Sequence, residues 1–122
     1  MLVVVLIVLV LLVGGIGGAT ASLQCLVLER RAAGRSIRGR SACVCGAPIS
    51  LARNIPVISW VVQRGRAHCC GAAIPRWYVE SEALSAVGTA GGLVVGGWVG
   101  ALAGLALMAV TTSTLWSIRH RA

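Results

Sequence analysis

Residues 2–28 run without one charged side chain, and a second uncharged stretch, 83–117, follows a loop crowded with arginine and cysteine. An α-helix rises about 1.5 Å per residue, so about 20 residues cross a hydrocarbon core and the first run is ample. Of 122 residues, 57% are hydrophobic and only 11% charged, too little polar surface for a soluble domain of this size. Phe is absent while Val, Leu, Ala and Gly abound, the make-up of a lipid-facing chain rather than of a large aromatic core. The reading is an all-α integral membrane protein.

The second stretch is too long for one span, since 35 residues of helix would measure more than about 50 Å. Two short helices with a turn near Gly96-Gly97 or Gly100 fit it better. The expected organisation is a span at 2–28, a loop domain at 29–80, and spans at 81–99 and 101–118. Gly88, Gly92, Gly96, Gly100 and Gly104 recur at every fourth position, which puts a glycine groove on one helical face for close packing. A cleaved signal peptide ending at Ala19-Thr20-Ala21 is the competing reading of the first run. No basic segment precedes that run, and it exceeds the usual apolar length of a signal, so a retained anchor is expected.

The formal charge of +8 comes from arginine alone, and nine of the eleven arginines lie between Arg30 and Arg76. Such a charge on a soluble protein would suggest nucleic acid. Here no stacking aromatics accompany it, and Arg30, Arg31, Arg35, Arg38 and Arg40 sit just past the end of a span. The positive-inside rule accounts for them, so the expected partner is anionic membrane lipid and not nucleic acid. The same rule places the N-terminus outside, the loop in the cytoplasm, and the protein as a multi-pass component of a bacterial inner membrane.

The loop holds four of the five cysteines in two related segments. One reads Cys43-Val44-Cys45-Gly46-Ala47-Pro48-Ile49, the other His68-Cys69-Cys70-Gly71-Ala72-Ala73-Ile74, and both end in Cys-Gly-Ala-x-Ile. That duplication predicts two metal-binding knuckles, with glycine letting the backbone turn behind each sulfur. A cytoplasmic loop is reducing, so ligands or free thiols are expected before disulfides. Structural zinc takes four ligands in a tetrahedron. Cys43, Cys45 and Cys70 supply three, and His68 or Cys69 the fourth. Adjacent Cys69 and Cys70 on one ion would strain the backbone, so the expected set is Cys43, Cys45, His68 and Cys70, with Cys69 as the alternative. Between the knuckles, Arg53-Asn54-Ile55-Pro56-Val57-Ile58-Ser59-Trp60 is an apolar strip that either packs the two together or lies on the bilayer surface.

The order of these motifs resembles the N-terminal portion of the bacterial prepilin peptidases, the leader peptidase/N-methyltransferase enzymes of type IV pili and type II secretion. Asn54, Ile55, Pro56, Ser59, Trp60, Arg64, Gly65, Arg66, Cys70, Gly71, Tyr78 and Glu82 match that pattern across essentially the whole chain. There are departures. The first knuckle is one residue shorter than the family's Cys-x-x-Cys, Ala67 stands where the second knuckle's first cysteine belongs, and Arg53 replaces an aspartate.

The resemblance implies a peptidase that works through two intramembrane aspartates, one polarising the scissile carbonyl while the other activates water. This sequence contains no aspartate, and Ser117 falls where the first would stand; the second would lie beyond residue 122. A truncated form of the family, inactive as a peptidase on its own, is therefore expected. It would act with a separate C-terminal half, as an accessory that binds prepilins, or as a remnant. The family's second activity, methyl transfer to the pilin N-terminus, would need S-adenosylmethionine, and Glu82 is the matched residue for it. Its alternative is an interfacial carboxylate paired with Arg64, Arg66 or Arg76. A different class of function, a small membrane scaffold that docks a cytoplasmic partner through the cysteine-rich loop, also fits the composition. A thiol oxidoreductase fits less well, since no Cys-x-x-Cys pair is present.

Overall fold

A computed structural model of the protein describes residues 1–36, 38, 42, 43 and 45–121, apart from the side chain of Leu51. Arg40, one of the arginines that set the expected orientation, lies outside the described residues. Among the described residues the regular structure is helical: α1 (Leu2–Ala32), α2 (Ile58–Val62) and α3 (Arg76–Arg121), with a 3-10 turn at Leu51–Arg53. Both α1 and α3 are long and apolar enough to cross a membrane, and the cysteine loop lies between them. The chain is an all-α membrane protein.

The end of α1 is set by glycine. Gly34 takes φ +66, which an L side chain rarely adopts. This lets the Arg35 amide reach the Arg30 carbonyl at 2.8 Å and the Gly34 amide reach Arg31 at 3.1 Å. The paired bonds satisfy carbonyls left open at the helix end and turn the chain away.

α3 is two helical arms joined at a reversal. Gly96 (φ −127, ψ 15) and Gly97 (φ 61, ψ −150) leave helical geometry, and residues 98–121 return alongside 76–95. The expected glycine groove is thereby corrected. Gly88 and Gly92 on the outgoing arm face Gly104 and Gly100 on the returning one, so the five glycines form a seam symmetric about Gly96 rather than one face of a single helix. A Cβ on Gly92 would land on the Gly100 carbonyl oxygen, and one on Gly88 would sit 2.6 Å from Met108 Cγ. In lipid no hydrophobic force drives helices together, so association depends on this closeness of backbones.

α1 lies against both arms. Gly14 meets Ala86 and Ala90, and Gly17 meets Ser85 and Thr89 on the outgoing arm. On the returning arm the Gln24 side chain donates to the Ala109 carbonyl at 2.7 Å and to Ser113 Oγ at 2.6 Å. Polar ends gather at one level. Glu29 accepts from Trp116 Nε1 at 3.2 Å and faces His120 Nε2 at the same distance, while Arg119 meets Glu80 at 3.3 Å. His120 stacks on Trp116 with ring centroids 4.2 Å apart. The end of α1 and both ends of α3 therefore lie together at one end of the helical bundle.

The glycine seam makes a paired prediction. Gly92→Ala forces the arms apart and should destabilise the protein in detergent by about 1–3 kcal/mol. Gly91→Ala, one position away with nothing within 4 Å of the new Cβ, should leave the thermal midpoint unchanged or slightly raised. Equal effects from the two would contradict the hairpin.

Candidate functional site

The two cysteine segments fold as matching knuckles. In the first, Ala42 bridges to Pro48, the Cys43 amide bonds the Ala47 carbonyl at 2.9 Å, and Gly46 takes φ +90. In the second, Arg66 bridges to Ala73, the Ala67 amide bonds Ala72 at 2.8 Å, and Gly71 takes φ +69. Both positive-φ residues directly follow the last cysteine of their segment, where only glycine turns without strain. Each knuckle also aims an amide at sulfur, Cys45 N–H at Cys43 and Ala72 N–H at Cys70.

The knuckles face each other and bring four thiols together. Cys43, Cys45, Cys69 and Cys70 place their sulfurs within 4.8 Å of one another. The Cys43 and Cys70 sulfurs are 3.6 Å apart, and those of Cys45 and Cys69 are 3.3 Å apart. Four sulfurs around one zinc at about 2.3 Å would be spaced about 3.8 Å, so the cluster suits a tetrahedral thiolate-bound ion. These residues could hold a metal, and a bound ion would cross-link the two knuckles.

His68, the expected fourth ligand, is not in this group, whereas Cys69, the alternative, is. The reason lies in the turn closed by the Gly71 amide on the Ala67 carbonyl at 2.8 Å. Neighbouring Cys69 and Cys70 there meet different partners, Cys45 and Cys43, so adjacency does not require the strain argued from the sequence. His68 instead lines a cavity of about 290 Å³ between the loop, α1 and the start of α3.

Crowding sets the thiol acidities. The Cys45 amide, and then the Cys69 thiol, hold Cys43 down to about 7. Cys69, whose proton is shared with the Cys43 and Cys45 sulfurs, is pushed up to about 12. The Ala72 amide is the largest single influence and favours a Cys70 thiolate, but the Cys43 thiol, desolvation and the Cys45 thiol together outweigh it and Cys70 rises. Four thiolates this close ionise together only when a cation joins them.

Glu82 lies apart from the thiols, at the base of the cavity. It is buried where α3 faces α1. Its Oε2 accepts the Val57 amide at 2.7 Å, and the Ser22 hydroxyl also bonds the carboxylate. Among the described residues it makes no ion pair, with Arg64, Arg66, Arg76 or any other cation. Val57 itself is held at φ +61, a costly conformation for a β-branched residue. Pro56 beside it packs onto α1, where a Cβ on Gly18 would lie 2.8 Å from the proline Cβ. Trp60 closes the loop, covering Gly65 (φ +70) and donating to the Ile74 carbonyl at 3.3 Å. The roles of Ser22, Gly18 and Val57 carried no signal in the sequence, because each depends on a neighbour more than twenty residues away.

Residues 16–95 match the family described as the Bacterial Peptidase A24 N-terminal domain. A stretch of 41 residues is 46% identical to the prepilin leader peptidase/N-methyltransferase of Dickeya chrysanthemi, covering 34% of this chain and 14% of that relative. No solved structure matches.

The metal reading makes a prediction. Zn²⁺ titration with a competing chelator should show Cys69→Ser weakening binding by more than about tenfold and His68→Ala leaving it unchanged. Because thiols must lose protons to bind, affinity should fall as pH drops from 8 to 6. Loss through His68→Ala with Cys69→Ser silent would overturn the assignment.

Proposed function

The chain belongs to the family of the bacterial peptidase A24 N-terminal domain, and we propose that it is the membrane-anchored, substrate-side module of a prepilin leader peptidase/N-methyltransferase. In this reading it resides in a bacterial inner membrane with its N-terminus outside and its cysteine loop in the cytoplasm, serving type IV pili or type II secretion. The arginines that follow α1 support the orientation. Zinc on Cys43, Cys45, Cys69 and Cys70 would be structural, a closed four-thiolate site that stiffens the loop.

The observation that carries this reading is how its carboxylates are used. The chain has three acidic residues and no aspartate. Glu29 is engaged by Trp116 and His120, Glu80 by Arg119, and Glu82 by the Val57 amide. Aspartic chemistry needs two carboxylates sharing a proton and facing one bond. Here the three are committed to separate partners, so cleavage requires carboxylates from outside these 122 residues. Glu82 then anchors the loop. Should the module take part in methyl transfer from S-adenosylmethionine, the role of Glu82 is to hold the loop in place.

The test is prepilin processing in cells that lack their own prepilin peptidase. The chain alone should leave prepilin uncleaved, and co-expression with a C-terminal half that carries both aspartates should restore the shortened product. Cleavage by that half alone, with no gain from this chain, would overturn the proposal and favour a membrane scaffold that docks some other cytoplasmic partner.

A further inference from the structure

The apolar strip between the knuckles sits deeper than a cytoplasmic loop should. Pro56 packs on Gly18, and α1 runs on from there to Glu29 at the polar level, about 16 Å along the helix. On α3 the same level is marked by Trp77, which makes an edge contact with His120. Glu82, which holds Val57, is five residues beyond Trp77, about 8 Å further along the helix. Tryptophan and tyrosine gather at membrane–water boundaries, and Trp77, Tyr78 and Trp116 form such a belt here. The Pro56–Val57 turn therefore lies about 8–16 Å on the lipid side of that belt, by the two helices' own rise.

Its outward face is apolar. Ile58, Val61 and Val62 of α2 share one side and are 58%, 60% and 75% exposed, the range of Ile16 (62%) in the middle of α1. Trp60, on the other side, turns in to the loop. Arg53, Arg64, Arg66 and His68 share a groove with Ile58 and Val62, and the arginine stems are long enough to carry their charges outward toward lipid phosphates. Non-helical backbone survives at membrane depth only where its polar groups are satisfied. That condition is met at the turn: Pro56 has no amide hydrogen, Val57 donates to Glu82, Ile58 to the Pro56 carbonyl at 2.6 Å, and Ser59 to Ile55 at 3.0 Å.

We propose that residues 54–62 form a re-entrant segment whose α2 face is docked in the lipid of the protein's own membrane, with Glu82 as the clip that lets the turn enter. The occupant of the exposed face is bilayer lipid, not a protein partner. The segment seals the loop domain to the bilayer beside α1.

The test places benzoylphenylalanine, a photoreactive residue that inserts into nearby C–H bonds, at Ile58, Val61 or Val62 of the full chain in nanodiscs of anionic lipid. Ile16 serves as the lipid-facing reference and Arg35, beyond the end of α1, as the aqueous one. Lipid adducts read by mass spectrometry at Val61 and Val62 should fall within about twofold of Ile16 and exceed Arg35 by about tenfold. Three labelled positions keep the result from hanging on one substitution that fails to fold. Lipid adduct yields at the Arg35 level, or adducts to protein in place of lipid when cells are irradiated, would overturn the proposal. Neither outcome depends on prepilin processing, so this inference and the proposed function fail separately.

Discussion

The carboxylate of Glu82 reaches from a membrane helix to the Val57 amide of the loop, and most of the structure's logic hangs on that bond. Without it, a half-buried amide would lose its partner, at a cost of up to about 1–3 kcal/mol, and the buried Glu82 carboxyl would keep only Ser22. With it, Val57 is kept at a positive φ that its side chain resists, and the chain turns tightly enough for Pro56 to reach Gly18. One contact thus fixes the loop to both α1 and α3. The second thiol knuckle lies between this turn and the start of α3.

Small residues make the clamp geometrically feasible. Gly14, Gly17 and Gly18 let α1 approach α3 closely enough for Ser22 and Glu82 to meet, and the Gly88–Gly104 seam brings the returning arm within reach of Gln24 and Glu29. Above that platform, the two knuckles oppose each other through their four cysteines. Their geometry suits a metal, and a metal would complete them much as Glu82 completes the turn below. A bound ion would thus add a second cross-link to the one that Glu82 makes between loop and helix.

Much of this was legible in the amino-acid order. Two uncharged runs separated by arginines dictated membrane helices, and a run too long for one span demanded a reversal. The repeated Cys-Gly-Ala-x-Ile announced paired knuckles, and Gly46 and Gly71 do turn where the repeat puts them. Other features were hidden because they depend on distant neighbours. His68 looked the better ligand than Cys69 only while the turn was unknown, since the direction of successive side chains depends on backbone angles that residue names do not specify. The glycines at every fourth position read as one helical face until the chain was seen to fold back at Gly96, turning one stripe into two facing halves. Glu82 resembled a base or an arginine partner, because nothing local could reveal that its acceptor oxygen meets an amide 25 residues upstream.

The clamp can be tested by hydrogen exchange over residues 54–63 in wild type, Glu82→Gln and Glu82→Ala, each in nanodiscs. The glutamine amide retains an oxygen that can accept the Val57 hydrogen, whereas alanine removes the acceptor. Protection should persist in Glu82→Gln and fall by about tenfold or more in Glu82→Ala, with α1 and α3 unaffected. Wild-type protection in Glu82→Ala would contradict the account, since the loop would then be held by something other than this carboxylate.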